Sequence, residues 1–158
     1  MDEVVAALRA SPLGAELTPS EGEVLGKIVS LKSLRDGEVL LPAGAQDSLL
    51  HVVVRGRVCV VKDGKHGPEV MHNLEPGDFV GELSFMDDAP RFAALTASGD
   101  TQVLCLRRAD FETLVEKEPR VVYKTMRAIM RAAHRVQRRL SLQAQDLEDY
   151  VYRTGARY

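Results

Sequence analysis

No apolar run in this sequence approaches the ~20 residues that a bilayer-spanning helix needs. A secretory leader is also lacking. Asp2 and Glu3 stand where positive charge belongs, and residues 4–10 have the spacing of an amphipathic helix. A cytoplasmic protein with no membrane partner is expected. Cysteine is scarce, with Cys59 in Val58-Cys59-Val60-Val61 and Cys105 in Val103-Leu104-Cys105-Leu106. No Cys-x-x-Cys spacing occurs, so both are predicted to be small buried strand residues rather than a disulfide or metal ligands. A large excess of one charge is missing as well: the formal net charge is −2, and nothing global steers the chain to nucleic acid. The four histidines, His51, His66, His72 and His134, contain no His-x-His pair, and no Ser or Cys sits in a recognisable nucleophile elbow. The chain therefore reads as a non-enzyme that requires no cofactor.

What is present is globular: 158 residues, 45% hydrophobic and 28% charged, enough for one domain with a real core. The first segment, residues 1–30, is predicted helical. Thr18, Pro19 and Glu21 spell a capping box with proline at the first helical position, opening a helix to about Val29. Residues 31–108 change character. Short apolar stretches broken by Asp36-Gly37, Gly44, Arg55-Gly56, Asp63-Gly64, Pro76-Gly77-Asp78 and Gly99-Asp100 predict a sandwich or barrel of antiparallel strands. A hairpin is expected to join residues 50–54 to 58–61 around Arg55-Gly56-Arg57, with another loop at Lys65-His66-Gly67.

Residues 109–158 return to helical periodicity, with Asp110 as N-cap and a break at Pro119. The last helix carries Val122, Met126, Ile129, Ala133, Val136, Leu140, Gln143, Leu147 and Tyr150 at alternating four- and three-residue spacing, which is a coiled-coil seam. About thirty residues of helix extend ~45 Å, more than a small barrel covers, so a parallel homodimer is predicted. Residues 120–139 hold seven Lys or Arg and no acid. Arg127, Arg131, Arg135 and Arg138 lie off the seam, as the solvated face of a coiled coil would.

One cassette carries binding chemistry. Gly81-Glu82-Leu83-Ser84-Phe85 runs on to Ala89-Pro90-Arg91-Phe92-Ala93, placing a carboxylate and a guanidinium at its two ends. An ionised carboxylate accepts from sugar hydroxyls, and a phosphate anion suits a forked cationic donor with free backbone amides. Residues 83–86 suffice for one helical turn, whose unpaired amides favour an anion, and Gly81 permits close approach of a ligand to the backbone. The pair fits a ribose phosphate. The competing reading is that Glu82 and Arg91 pair with each other in a pocket without ligand.

The order of helices, glycine-punctuated strands, cassette and final helices resembles the cyclic-nucleotide-binding domain family, to which catabolite activator proteins and regulatory subunits of cyclic-AMP-dependent protein kinase belong. Gly37-Glu38-Val39-Leu40, Gly44, Gly56-Arg57-Val58-Cys59-Val60 and Leu74-Glu75-Pro76-Gly77-Asp78-Phe79 carry the likeness together with the cassette. The resemblance implies an α+β, mainly β fold: a jelly-roll barrel with N-terminal helices and a long C-terminal dimerisation helix. It implies Glu82 on the ribose 2′-hydroxyl and Arg91 on the cyclic phosphate. Further donors would be the amides of Leu83, Ser84, Phe92 and Ala93 and the Ser84 hydroxyl, with Gln137 of the long helix near the base. Cyclic AMP, or cyclic GMP, would be the ligand, and an unidentified downstream protein would read the helices. Phe92 departs from the family, which usually places a small residue after the phosphate arginine. With the sequence ending at Tyr158, direct DNA binding through a helix-turn-helix is not expected. The alternatives are a degenerate dimeric interaction module without ligand, or the sensor half of a truncated transcription regulator.

Overall fold

Thr18 and Glu21 form the capping box that their spacing predicts. The Glu21 amide donates to Thr18 Oγ1 (3.2 Å), and the Thr18 amide donates to Glu21 Oε1 (2.9 Å). They open α2 (Pro19–Gly26), which follows α1 (Asp2–Ala10). The helix stops short of the expected Val29 because Val29 already pairs with Leu106 as the first residue of a strand. The computed structural model describes residues 2–155 except 43, 45–47, 82–84 and 86–92, with side chains beyond residue 135 described only at Leu142 and Gln145.

Six strands follow: β1 (Val29–Leu34), β2 (Val39–Leu41), β3 (Leu49–Gly64), β4 (Gly67–Leu74), β5 (Phe79–Val80) and β6 (Ala94–Arg107). They form one antiparallel sheet in the order β1-β6-β3-β4, with β2 added to β6 and β5 to β3. Among the described residues β1 and β4 do not pair, so the ladder is not closed into the expected barrel.

The hairpin expected at Arg55-Gly56-Arg57 is instead a bulge within one sixteen-residue strand. The register against β6 shifts on either side of Arg55 while the chain keeps its direction. Gly56 has φ +84°, and a Cβ there would meet the Asp100 carbonyl oxygen. Buried Thr101 satisfies the interrupted ladder, its Oγ1 accepting from the Arg57 amide (3.3 Å) and lying 3.1 Å from the Arg57 carbonyl. Glycine between charged residues reads as a turn, yet a glycine at positive φ serves a bulge equally well. The actual hairpin turns at Lys65-His66, between paired Gly64 and Gly67, in the loop the sequence marks.

The strand alternation divides the core in two. Leu50, Val52, Leu104 and Leu106 face the helices and pack with Leu8, Leu13, Leu25, Phe111 and Ile129. Their neighbours Val53 and Val103 turn the other way, toward Leu34, Leu40, Val58, Leu74, Leu95 and Ala97. Two helices close the chain: α3 (Arg108–Glu112) and α4 (Pro119–Gly155). The cap of α3 is Arg107, without a side-chain bond, and Asp110 lies in its first turn rather than at the cap, where its charge still suits the positive end of the dipole.

In its first half α4 buries Val121, Thr125, Ala128, Ile129 and Ala132 against its own chain. Of the predicted seam, Ile129 is fully buried and Val122 and Met126 are partly buried against that core, whereas Ala133 is exposed. This half of the stripe thus packs within the protomer. The arginines do not simply face solvent either: Arg131 and Arg127 meet Glu16 at 2.6 and 3.9 Å.

Lys124 Nζ lies 2.6 Å from Glu21 Oε1, so the cap of α2 also grips α4. The Lys124 ammonium, helped by the Thr18 amide, lowers the Glu21 carboxyl from 4.5 to about 2. A carboxyl depressed in the folded state contributes stability above its unfolded value, and that contribution is lost as pH falls toward the folded one. Thermal melts should therefore show an acid-sensitive component between about pH 4.5 and 2. Glu21→Gln, which retains a capping-box acceptor, should remove that component and leave the profile above pH 5 parallel to the original. Identical acid limbs in the two proteins would refute this coupling.

Candidate ligand-binding site

The approach to the cassette is built by a tight turn at Pro76-Gly77-Asp78. The Glu75 amide donates to Asp78 Oδ2 (2.8 Å), and the Asp78 amide donates to the Glu75 carbonyl (2.9 Å). Two further bonds tie the turn to β3: Gly77 amide to Val53 carbonyl (2.7 Å), and Val53 amide to Asp78 carbonyl (3.0 Å). The chain is thereby laid down as β5, with Phe79 opposite Val52 and Val80 opposite His51, and reaches Gly81 at φ +91°. Such a φ suits glycine.

Phe85 then fixes the turn to the core. Its amide donates to the Gly81 carbonyl (2.8 Å), a bond of helical i to i+4 spacing. Its ring is 1% exposed and meets Phe111 of α3, with centroids 5.7 Å apart and planes at 47°. Its carbonyl accepts from Arg108 Nη1 (3.4 Å), while Arg108 Nε lies 3.3 Å from Glu112. An aromatic pair of this geometry is worth about 0.5–1.5 kcal/mol beyond the area it buries. The turn after Gly81 and the start of the C-terminal helices are therefore in direct contact. The sequence places Phe85 in the cassette but does not mark this role, because its partners at 108 and 111 carry no signal that pairs them with 85.

At the other end of the cassette Ala93 is buried and leads into β6, where Ala94 pairs with Val61. Of the predicted site residues, Gly81 and Ala93 occupy these two ends. Glu82, Leu83, Ser84, Arg91 and Phe92 lie outside the described residues. Gln137 belongs to α4, but its side chain lies outside them as well.

The remaining reactive groups are dispersed. Among the described residues no three His, Cys, Asp or Glu side chains come together as a metal site. Cys59 and Cys105 are free thiols, half-buried rather than fully buried as their strands suggested. Cys59 Sγ lies 3.2 Å from Asn73 Oδ1, and burial pushes the Cys105 thiol above the usual range. No helix among the described residues is long and apolar enough to cross a membrane.

Comparison with known proteins agrees with this architecture. The family model described as cyclic nucleotide-binding domain matches residues 31–118, from β1 through the cassette to the end of α3 and its following turn. A cAMP-dependent protein kinase regulatory subunit from Mycosarcoma maydis is 32% identical over 96 residues, 61% of this chain and 18% of that one. A cyclic AMP receptor protein from Thermus thermophilus is 28% identical over 117 residues, 73% of this chain and 54% of the other. The chain thus spans about half or less of the length of these relatives. Among solved structures, a cyclic nucleotide-binding domain from Methylobacillus flagellatus has the same fold, with a TM-score of 0.74 over 87% of this chain and 78% of that one at 22% identity. With more than half of its length inside the family match, the chain belongs to the cyclic nucleotide-binding domain family.

Proposed function

We propose that this protein is a cyclic-nucleotide sensor, with cyclic AMP as its ligand, that signals through the position of its C-terminal helices. The observation that carries the reading is the family match over residues 31–118, which contains Glu82 and Arg91 at the two ends of the cassette. Glu82 accepts from the ribose 2′-hydroxyl, Arg91 pairs with the cyclic phosphate, and the amides of Leu83, Ser84, Phe92 and Ala93 supply further donors. Gln137 of α4 is the candidate contact to the base. The protein works without catalysis or cofactor, as a dimer through α4, and a separate protein reads its state.

The described contacts supply a route for the signal. A nucleotide that tightens the turn after Gly81 acts on Phe85, and Phe85 touches Phe111 and Arg108 of α3. The ligand shifts the helices only by its difference in affinity for their two arrangements. Phe92 favours a second reading, a ligand-free interaction module in which its benzyl group fills the phosphate pocket. Thermal unfolding separates the two. At a hundred times its dissociation constant a nucleotide that binds only the folded state adds ~2.7 kcal/mol of stability. Cyclic AMP at millimolar concentration should accordingly raise the melting temperature by several degrees, whereas an unmoved transition with both cyclic AMP and cyclic GMP would leave the second reading standing.

A further inference from the structure

A groove of about 770 Å³ runs between residues 12–16 and the flank of α4 over residues 127–135. Pro12, Ala15 and Met130 give it an apolar lining, and Met130 is 68% exposed. The wall at residues 12–16 is held by its own backbone. The Gly14 amide donates to the Ser11 carbonyl (3.2 Å) and the Leu17 amide to the Gly14 carbonyl (3.1 Å), while Leu13 and Leu17 are buried in the core. On the other wall stand Arg127, Arg131 and Arg135, against Glu16 as the single acid among the described residues. Their four-residue spacing sets them in one row, ~6 Å apart along the helix axis. Arg131 meets Glu16 at 2.6 Å and Arg127 meets it at 3.9 Å, and Arg135 has no ion pair among the described residues. The rim therefore keeps a net positive charge.

We propose that this groove is the surface at which the downstream protein reads the sensor, and that it receives an amphipathic helix with carboxylates one turn apart beside an apolar face. The inference rests on the sensor reading above and gives its partner a chemistry and a place. It does not use the coiled-coil stripe. None of the α4 residues that line the groove, 127, 128, 130, 131, 134 and 135, is one of the seam positions.

The charge pattern selects the occupant. Guanidiniums at helical spacing are matched by carboxylates at the same spacing on a second helix, whereas a single-headed amphiphile would engage one of them and leave the others. The phosphates of a nucleic acid would satisfy the arginines but set nothing against Pro12, Ala15 and Met130. An exposed methionine beside a groove is an adaptable contact for the apolar face of a docked helix. The groove also adjoins the approach to the cassette. A Cβ added at Gly77 would lie 3.7 Å from Pro12 Cγ, so one wall neighbours the Pro76-Gly77-Asp78 turn that lays down β5 ahead of Gly81. The opposite wall is α4, whose position the ligand biases in the sensor reading. A helix that touches both walls responds to their separation. Glu16, which reaches from one wall to Arg131 on the other, is the internal acid with which it competes.

The probe is a fluorescein-labelled helical peptide built on Glu-Leu-Ala-Ala repeats, titrated with the full chain by anisotropy. It should bind in the micromolar range and at least about tenfold more tightly than its Lys-Leu-Ala-Ala counterpart. Arg131→Glu with Arg135→Glu should weaken it at least about tenfold, and Met130→Asp about threefold or more. Arg135→Glu alone, which disturbs no described ion pair, should act in the same direction at smaller size. Glu16→Gln removes the internal competitor and should tighten binding about threefold, an effect opposite in sign to general damage. Circular dichroism checks that each variant folds. No binding of the acidic peptide, equal binding of the basic peptide or of a labelled DNA duplex, or unchanged affinity in the arginine variants would each overturn the proposal. So would self-association of the chain that displaces the peptide, since the groove would then belong to a second copy. Saturating cyclic AMP should change the peptide's affinity at least about threefold, and the peptide should change that of cyclic AMP by the same factor. Indifference to the nucleotide, in a protein whose melting temperature cyclic AMP raises, would sink the readout and leave the sensor reading intact. Peptide binding in a protein that no cyclic nucleotide stabilises would remove the sensor reading and keep the groove as a site for acidic helices.

Discussion

Arg91→Ala should abolish measurable binding of cyclic AMP in a calorimetric titration at micromolar protein. A cyclic phosphate inside a protein is an anion removed from most of its water, and the arginine supplies paired charged donors in its place. Removing one partner of a buried, hydrogen-bonded charge pair costs about 2–5 kcal/mol, much of it the cost of leaving the other charge unmet. That is a factor of roughly thirty to several thousand in the dissociation constant. Circular dichroism of the variant checks that the fold survives. Unchanged affinity in a folded Arg91→Ala protein would place the phosphate elsewhere and sink the assignment.

Glu82 offers a sharper companion experiment. Its predicted partner is one hydroxyl, so Glu82→Ala should weaken cyclic AMP by about 1.5–3 kcal/mol, the worth of a hydrogen bond to a charged group. The variant should make little distinction between cyclic AMP and its 2′-deoxy analogue, whereas the parent protein discriminates between them. A cycle over protein and ligand isolates the contact from general damage to the cassette. Equal losses for both nucleotides would mean that Glu82 positions the turn rather than touching the sugar.

Legibility in the sequence follows the range of the interaction. The Thr18-Glu21 cap is formed within four residues and is readable as written. That Glu21 also holds Lys124 is not, because 103 residues separate them and either side chain satisfies a solvated reading. Arg55-Gly56-Arg57 misleads for a different reason: positive φ serves turns and bulges alike, and only the pairing of β3 with β6 on both sides of Gly56 decides between them. On α4 the periodic Val122, Met126 and Ile129 suggested a seam, while the stripe that is buried includes Thr125, Ala128 and Ala132. Small and hydroxyl side chains pack closely against a core yet contribute little to a hydrophobic pattern, so the stripe appears rotated by about one residue. The cassette is legible in the sequence as a carboxylate and a guanidinium that suit a ribose phosphate, an expectation that falls on residues outside the described ones. Its attachment through Phe85 to Phe111 is not, because two phenylalanines carry no mark that pairs them.

That attachment predicts the largest loss of stability. Phe85→Ala should destabilise the protein by about 3–5 kcal/mol, the usual cost of emptying a buried phenylalanine site. Phe85→Leu, which keeps much of the volume, should cost far less. The informative quantity is the coupling with Phe111. If the rings interact as their 5.7 Å separation indicates, Phe85→Ala and Phe111→Ala will fall short of additivity by about 0.5–1.5 kcal/mol in denaturant unfolding. Function should follow the same contact. In the parent, nucleotide binding is expected to slow amide exchange both in the turn after Gly81 and along α3. In Phe85→Leu the first effect should persist and the second weaken, because the aliphatic side chain holds the turn in the core without the ring-to-ring contact. Strict additivity, with undiminished protection of α3, would show that the cassette communicates with the C-terminal helices by another path. The candidate left among the described contacts would be Arg108, whose guanidinium reaches the Phe85 carbonyl and Glu112 together. Arg108→Ala in the Phe85→Leu background would then be the variant that silences α3.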